Sequence, residues 1–312
     1  MKDPKKYISL QSRFRFKNTV YFYDKDTPLS PGSPLPSATP TNTPTSTVTP
    51  TPTTTPTPTP SSISVDPDAA AYLADVITSG GTLNPTISAA TDTLFTSLKS
   101  AGLYSKMKVM YPYVGGTASS HSINAKLDKT FDITWYGGMT HGISGSTGNG
   151  SNGYGDTNFT TNQFVDGNNS SFGIYVVNGD TNNGIHGGFM GSGTLSIQLG
   201  TNRLGDWGWR HGSASFQRTA NGGLTDGSFI AIRTGNTEAQ LYRNTVNVDT
   251  FVSATGSLTS TSLLLFNMVG GSFYTNDTLG FSFFADGLTY AEVPILDGII
   301  NTFQTSLGRN TY

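Results

Sequence analysis

Apolar positions between residues 66 and 104 repeat at helical spacing and predict two short helices. Asp66 followed by Pro67 is typical of an N-cap with proline at the first helical position, and Asn84 followed by Pro85 repeats this signal. Glycine after each apolar run ends the helix, at Gly80 and at Gly102. The predicted apolar stripes are Leu73, Val76 and Ile77 in the first helix, and Ile87, Ala90, Leu94, Leu98 and Ala101 in the second.

From about residue 105 the apolar pattern changes to period two, with Gly, Asn, Asp, Ser and Thr between the runs. Seven or more short strands without intervening helices indicate an antiparallel sandwich. A last helix is predicted around 291–307, with Ile295, Ile299, Phe303 and Leu307 at steps of four. The candidate strands are 131–136, 172–177, 195–199, 229–233, 239–243, 263–269 and 281–284.

The first 26 residues form a basic, aromatic arm. Residues 13–17 alternate basic and aromatic side chains, and residues 20–23 add a second apolar run, which predicts one or two strands of a hairpin. So short a segment cannot bury a core of its own. We interpret it as a docking peptide for another protein, the alternative being a disordered basic tail. The candidate docking residues are Phe14, Arg15, Phe16, Tyr21, Phe22 and Tyr23.

Residues 27–62 contain 11 of the 16 prolines, 13 threonines and no charged or aromatic residue. Proline fixes φ and removes a hydrogen-bond donor, so this segment is predicted to be extended polyproline II rather than helix or sheet. A disordered linker and a stiff stalk both fit. The predicted organisation is an arm at 1–26, a Pro/Thr linker or stalk at 27–62, a two-helix lead-in at 63–104 and a β domain at 105–312.

Composition excludes several classes of protein. The absence of cysteine among 312 residues excludes disulfide scaffolds, cysteine nucleophiles and thiolate metal sites. No apolar run approaches about 18 residues, so we expect no membrane insertion; the N-terminus also shows no secretory signal. The net charge of −2 argues against nucleic-acid binding. It combines +4 in the arm with −6 in the remainder.

Four stretches carry a resemblance to a known module. They are residues 103–121 (LYSKMKVMYPYVGGTASSH), 137–141 (GGMTH), 149–154 (NGSNGY) and 307–310 (LGRN). Together they resemble a module common in structural proteins of tailed bacteriophages, over roughly residues 66–312. The resemblance implies a mainly β fold: an antiparallel jelly-roll sandwich of the concanavalin A or laminin-G type, preceded by two helices and closed by a C-terminal helix.

One hairpin departs from the pattern of this module. The turn after Leu241 and Tyr242 usually reads Asn-Gly, whereas here it reads Asn244-Thr245. Because threonine disfavours positive φ, we expect a longer turn or one of another type.

The resemblance implies a non-enzymatic protein of the virion surface, assembled in the host cytoplasm, with a fibre subunit as the leading expectation. Its expected partners are other virion proteins of the capsid, neck or tail, bound through residues 1–26, further copies of itself, as in trimeric fibres, and a glycan of the host surface. The alternatives are a capsid decoration protein without a receptor role and a secreted carbohydrate-binding module.

The sequence offers little catalytic chemistry. Glycoside cleavage needs a pair of carboxylates, but the only glutamates are Glu238 and Glu292, and nothing nominates an aspartate pair. The match of residues 148–153 to G-x-G-x-x-G lacks the strand and helix of a dinucleotide site and predicts a loop. We expect no cofactor; calcium held by the Asp/Asn-rich loops at 166–169 or 276–277 is the alternative.

The four histidines show no metal-ligand spacing and are expected at turns or on the surface. They are His121, His141, His186 and His211.

Glycan recognition needs aromatic platforms beside polar groups rather than clustered charge. Trp207 and Trp209 lie two residues apart next to Asp206, so on a strand both rings would face one side. Core packing is the competing interpretation of these tryptophans. Tyr154, beside the glycine-rich loop, is a further candidate glycan contact.

Overall fold

The chain divides into two units, Met1–Pro60 and Ser61–Tyr312. The computed structural model describes residues 15–16, 19–20, 65–126, 130–160, 163, 167–179, 184–189, 196–212, 215–220, 223–254, 260–268 and 272–312. In the first unit, β1 (Arg15–Phe16) pairs antiparallel with β2 (Thr19–Val20), which is the hairpin predicted for the arm. The predicted linker at 27–62 lies outside the described residues.

The described residues of the second unit form four α-helices: α1 (Pro67–Thr78), α2 (Pro85–Ser100), α3 (Ala118–Ser122) and α4 (Glu292–Ser306). Both predicted N-caps are confirmed. The Asp66 carboxylate accepts hydrogen bonds from the backbone N–H groups of Asp68 and Ala69, and the Asn84 side-chain oxygen accepts one from Ile87. Over the described residues, no helix combines the length and apolarity needed to cross a membrane.

The strands of the second unit form two antiparallel sheets. One contains β12-β11-β10-β9-β16-β7-β4, and the other contains β15-β14-β13-β8-β17-β6-β5, with β3 also pairing with β17. Their bounds are β3 Met107–Tyr111, β4 Thr134–Tyr136, β5 Thr140–Gly142, β6 Gly145–Thr147, β7 Tyr154–Thr160, β8 Asn169–Asn178, β9 Gly187–Phe189, β10 Ile197–Arg203, β11 Asp206–His211, β12 Gln217–Ala220, β13 Gly227–Thr234, β14 Glu238–Arg243, β15 Val246–Val252, β16 Ser262–Leu265 and β17 Thr278–Asp286.

The larger sheet is buried on both faces, which creates two cores. On β13, Phe229 and Ala231 point into a core shared with the seven-stranded sheet. Ile230 and Ile232 point to the opposite face, into a core closed by α1, α2 and α4. The domain is therefore an antiparallel β-sandwich in which helices cover the face of the eight-stranded sheet that is turned away from the seven-stranded sheet.

Each of the seven candidate strands overlaps an observed strand, and the three predicted helices are confirmed. Four candidates lie wholly within a strand, whereas in 131–136, 195–199 and 263–269 the observed strand covers 134–136, 197–199 and 263–265. The apolar stripes needed correction at three positions: Ile77 and Ile295 are 60% and 50% exposed, and Ala101 is exposed. On α4 the buried face is instead formed by Val293, Leu296, Ile300 and Phe303. Steps of four advance by about 400° on an α-helix, so a series such as Ile295 to Leu307 drifts off one face.

The Asn244-Thr245 hairpin contradicts the expectation of a longer turn or one of another type, because it is the two-residue type I′ turn that Asn-Gly favours. Arg243 pairs directly with Val246, which leaves a two-residue loop, and both loop residues have positive φ, at 47° and 69°. The Asn244 backbone N–H donates to Ser228, whose own N–H donates to the Asn244 side chain. These bonds and the strand pairing hold the turn closed, so Thr245 adopts a conformation that its β-branched side chain disfavours.

Replacing Thr245 by glycine should stabilise the protein, because Thr245 is exposed and its side chain contributes strain without burial. A residue other than glycine in the left-handed region costs about 1–3 kcal/mol, partly offset by the entropy of glycine in the unfolded chain. We expect a net gain of about 1 kcal/mol, or roughly 2–4 °C in Tm for a domain of this size, measured by thermal denaturation. Thr245→Ala, which keeps a Cβ, should gain less; a lower Tm for Thr245→Gly would contradict this account of the turn.

Candidate functional site

Three tyrosines form an aromatic cluster on the outer face of the seven-stranded sheet; we call Tyr136, Tyr154 and Tyr274 the tyrosine patch. Tyr136 and Tyr154 are directly opposite each other on β4 and β7. Their rings stack with centroids 4.8 Å apart at 13°, and Tyr274 lies against Tyr154 at 6.4 Å. Tyr136 is 45% exposed and the other two are partly exposed. The patch therefore presents aromatic surface to solvent.

The strand pleat explains why these tyrosines face outward. Gly155 and Phe159 of β7 face inward: Phe159 belongs to the core between the sheets, and a Cβ on Gly155 would contact Ile133 and Trp135. Side chains alternate along a strand, so Tyr154 takes the opposite face. Burial raises the pKa of the Tyr154 hydroxyl, with smaller contributions from Tyr136, Asp156 and Tyr274. The hydroxyl therefore stays protonated and can donate a hydrogen bond at neutral pH.

The loop at 148–153 borders the tyrosine patch and is held by its own asparagines. The Asn149 side-chain oxygen accepts hydrogen bonds from the N–H groups of Ser151, Asn152 and Gly153, at 2.8–3.0 Å. The Asn149 side-chain amide donates to the Asn152 side chain at 2.6 Å. The prediction that this G-x-G-x-x-G match is a loop is confirmed. Its exposed amides place polar groups beside aromatic rings.

A glycine fixes this loop against the turn after β4. Gly137 has φ +66°, and a Cβ there would collide with the backbone oxygen of Asn152. The N–H of Gly138 donates to the Asn152 side chain at 3.2 Å. The two glycines of the 137–141 stretch thus allow the close approach that seats the loop next to Tyr136 and Tyr154.

The candidate contacts Trp207 and Trp209 face the core. Both do lie on one side of β11, as expected, but Trp209 is fully buried and Trp207 is 6% exposed. The Trp209 indole N–H donates to the Asp249 carboxylate, and that of Trp207 donates to the backbone oxygen of Leu224. A glycan on the surface does not reach these rings, so this candidate contact is corrected to core packing. Asp206 is partly exposed and forms a 2.8 Å ion pair with Arg218.

Of the candidate docking residues, Arg15 and Phe16 form β1 of the arm. Phe14, Tyr21, Phe22 and Tyr23 lie outside the described residues. The arm as a docking peptide stays a prediction.

The expectation that the histidines lie at turns or on the surface is wrong for three of the four, since His121, His186 and His211 are at most 1% exposed. Each has a polar partner. His186 contacts the Asp277 carboxylate, and His211 Nε2 lies 2.9 Å from the Ser170 hydroxyl. A single sequence shows no period that separates a buried histidine with a partner from an exposed one, so this burial had no sequence signal.

His121 and His141 are in contact, although 20 residues separate them. The Nδ1 atoms of the two rings are 3.3 Å apart and both lie within 3.1 Å of the Ser146 hydroxyl. The His141 ring also packs on Trp135, with centroids 4.8 Å apart. Burial, with smaller contributions from His141 and the buried Arg309, lowers the pKa of His121 to about 3. Burial also lowers the pKa of His141.

The remaining groups considered for catalysis or metal binding lie in structural contacts. Glu292 pairs with Lys106 at 2.7 Å, and Glu238 accepts a hydrogen bond from the Tyr290 hydroxyl at 2.7 Å. In the described part of the chain, no group of three or more His, Asp or Glu side chains is arranged to hold a metal ion. Of the two candidate calcium loops, Asp277 is buried against His186 and Asp166 lies outside the described residues.

Sequence reasoning nominated Tyr154 but missed Tyr136 and Tyr274. Period two within 131–136 places Tyr136 opposite Ile133 and Trp135, so its outward direction had a signal. The sequence gives no signal for the pairing of Tyr136 with Tyr154, or for the approach of Tyr274 from a distant segment.

No protein-family model matches the chain, and no curated protein matches it either. Among solved structures it is similar to domain 4 of AbnA, a GH43 extracellular arabinanase from Geobacillus stearothermophilus in complex with arabinotriose, with a TM-score of 0.45 and 13% identity over 62% of this chain and 98% of that one. It is also similar to the receptor binding domain of botulinum neurotoxin C/D mosaic serotype, with a TM-score of 0.43 and 10% identity over 62% of this chain.

A third similar structure is Trypanosoma rangeli sialidase, with a TM-score of 0.45 and 10% identity over 72% of this chain. The matched regions span 51% of the toxin domain and 40% of the sialidase. Similarity at this level concerns the β-sandwich alone, and no residue role follows from it.

The burial of His121 predicts loss of stability in acid. His121 stays neutral in the folded state down to about pH 3, whereas its ordinary pKa is 6.5, so between these values the unfolded chain binds the extra proton. The stabilisation is complete above pH 6.5 and decreases as the pH falls. His121→Gln should reduce the slope of unfolding free energy against pH by up to about 1.4 kcal/mol per pH unit between pH 6 and 4, measured by urea denaturation.

Ser146→Ala is the matched control for His121→Gln, because it removes the hydroxyl partner but no titratable group. It should lower stability at every pH and leave the slope unchanged. An unchanged slope in His121→Gln would show that His121 is not held neutral in the fold.

Proposed function

We propose that the chain is a non-enzymatic attachment protein of a tailed-bacteriophage particle, acting as a fibre subunit at the virion surface. In this proposal residues 1–26 dock to another virion protein, residues 27–62 act as the spacer, and the β-sandwich head binds a saccharide of the host surface. The observation that carries the binding role is the exposed, stacked pair Tyr136–Tyr154 beside the amides of Asn149 and Asn152.

This arrangement has the chemistry of a saccharide site. The apolar face of a sugar ring packs on aromatic rings, and its hydroxyls pair with amides and the tyrosine hydroxyls. Burial of apolar surface contributes about 25 cal/mol per Å², so covering roughly 80 Å² of ring surface contributes about 2 kcal/mol. Such a site is weak by itself, because a Kd of 1 mM corresponds to about 4.1 kcal/mol.

Weak single sites suit a particle that carries many copies. Linked copies raise the effective concentration at the host surface, and avidity exceeds single-site affinity by about 10²–10⁴-fold. We therefore include self-association in the proposal. The tyrosine patch also supports a non-enzymatic role, because it offers aromatic ring faces and amides rather than carboxylates. The two glutamates contact other side chains, Glu238 the Tyr290 hydroxyl and Glu292 the Lys106 ammonium.

The tyrosine patch is tested by Tyr136→Ala/Tyr154→Ala in the full chain. Binding to host-cell envelopes and to a bacterial-glycan array should fall at least tenfold while the melting temperature stays close to that of the wild type. Tyr290→Ala is the matched control, since Tyr290 is 51% exposed but lies beside α4, and it should bind as wild type. Undiminished binding of the double variant, or a wild-type chain that binds no glycan, would overturn the saccharide role.

The arm is tested separately by deleting residues 1–26. Particles assembled with the truncated chain should lack the protein, as measured by immunoblotting of purified virions. The truncated chain itself should still bind glycan, because the described β-sandwich lies in the second unit. Truncated chains retained on the particle would contradict the docking role.

A further inference from the structure

The outer face of the seven-stranded sheet carries a second polar site toward its other edge. Ile197 and Leu199 of β10 and Trp209 of β11 point into the core between the sheets. The alternation of side chains directs Gln198 and Arg210 to the outer face, where they are cross-strand partners. This is the face that carries the tyrosine patch on β4 and β7.

A concavity of about 190 Å³ opens at this point of the face. Three polar side chains and several apolar ones form it. They include Gln198, Arg210, Arg218, Phe216, Met268 and Phe273. Its size suits one sugar residue rather than a larger ligand.

The guanidinium of Arg210 is held in place from two sides. Its Nε donates to the Gln198 side-chain oxygen at 2.9 Å, and its Cζ lies 5.7 Å from the centroid of the Phe216 ring. The Gln198 amide in turn donates to the sulfur of Met268, which fixes the glutamine. Burial lowers the pKa of Arg210, so its charge is only partly solvated.

Two arginine side chains, Arg210 and Arg218, line the concavity. Arg218 donates to the Asp206 carboxylate at 2.8 Å and to the backbone oxygen of Leu204 at 2.9 Å. The Asp206 carboxylate thus contacts one of the two guanidinium groups that line the concavity. A planar guanidinium recognises carboxylate and phosphate groups with paired hydrogen bonds.

The concavity and the tyrosine patch are neighbours along one segment. Phe273 lines the concavity, and the next residue, Tyr274, contacts Tyr154. Four strand steps separate β7 from β11, which is about 19 Å at the usual spacing of strands. A linear saccharide of several units spans this distance along the face.

We propose that the concavity at Arg210 is a subsite for an anionic sugar residue, so that the head binds acidic surface polysaccharides with the tyrosine patch holding neighbouring units. This inference rests on the proposed function and adds the ligand class. The shared chemistry is a carboxylate or phosphate on a sugar ring, flanked by the rings of Phe216 and Phe273.

The test measures binding of the full chain to matched pairs of oligosaccharides. Fragments containing uronic or sialic acid are compared with their carboxyl-reduced forms, and phosphate-bearing fragments with their dephosphorylated forms. At least one acidic member should bind about tenfold or more tightly than its neutral partner, since hydrogen bonds to charged groups are the stronger ones. The pair that shows the preference distinguishes carboxylate from phosphate.

Arg210→Gln and Arg218→Gln should each remove most of this preference without changing the affinity for the neutral member. Arg210→Lys keeps the positive charge but loses the paired N–H donors of the guanidinium, so its preference for the acidic member should lie between those of the wild type and Arg210→Gln. Lys126→Gln, whose ammonium lies over the Tyr104 ring, is the control for lost charge and should keep the preference. Because Arg218 is exposed, its variant remains informative if Arg210→Gln fails to fold.

The outcomes separate this inference from the function on which it rests. Neutral glycans that bind through the tyrosine patch with no acidic preference would overturn the subsite alone. A preference that survives both arginine substitutions would also overturn it. A chain that binds neither member of any pair would overturn the saccharide role and the subsite together.

Discussion

Burial of the eight-stranded sheet on both faces is the constraint that shapes the rest of the domain. Strands β8, β13 and β17 carry large apolar side chains in both directions, so neither face tolerates water. Helices α1, α2 and α4 cover one face, and the seven-stranded sheet covers the other. The seven-stranded sheet then has one face in the core and one directed outward, where the tyrosines and arginines of the proposed saccharide face lie.

The sequence signals were strongest where one residue decides the local structure. Proline after Asp66 and Asn84 located two helix starts, and period two located seven strands. Direction was harder to predict. The spacing of Trp207 and Trp209 required a common side, but the core side follows from how β11 pairs with β10 and β12. Likewise, Thr245 has a positive φ that threonine disfavours, because the pairing of β14 with β15 fixes a two-residue turn.

The proposed site depends on long-range pairing more than on local sequence. Tyr136 and Tyr154 come together through strand pairing, and Tyr274 arrives from a segment more than a hundred residues away. The same holds for His121 and His141, which meet only because α3, β5 and β6 are neighbours in space. Three of the four stretches that resemble the phage module contain His121, His141 and Tyr154, and Tyr136 directly precedes one of them. The stretches nevertheless contain no sign of which side chains make contact.

The first described residues of the second unit also have a mechanical meaning. The backbone N–H of Asp66 donates to Asp92, and its carboxylate pairs with Lys99, so the chain is fastened to α2 before α1 begins. A force on the preceding segment therefore acts first on the Asp66–Lys99 ion pair and on the hydrogen bond from Asp66 to Asp92, which connect the start of α1 to α2. These contacts must give way before the first turn of α1 unwinds. In the proposed function, where a spacer carries the β-sandwich domain, these contacts protect the domain against forces that pull on the spacer.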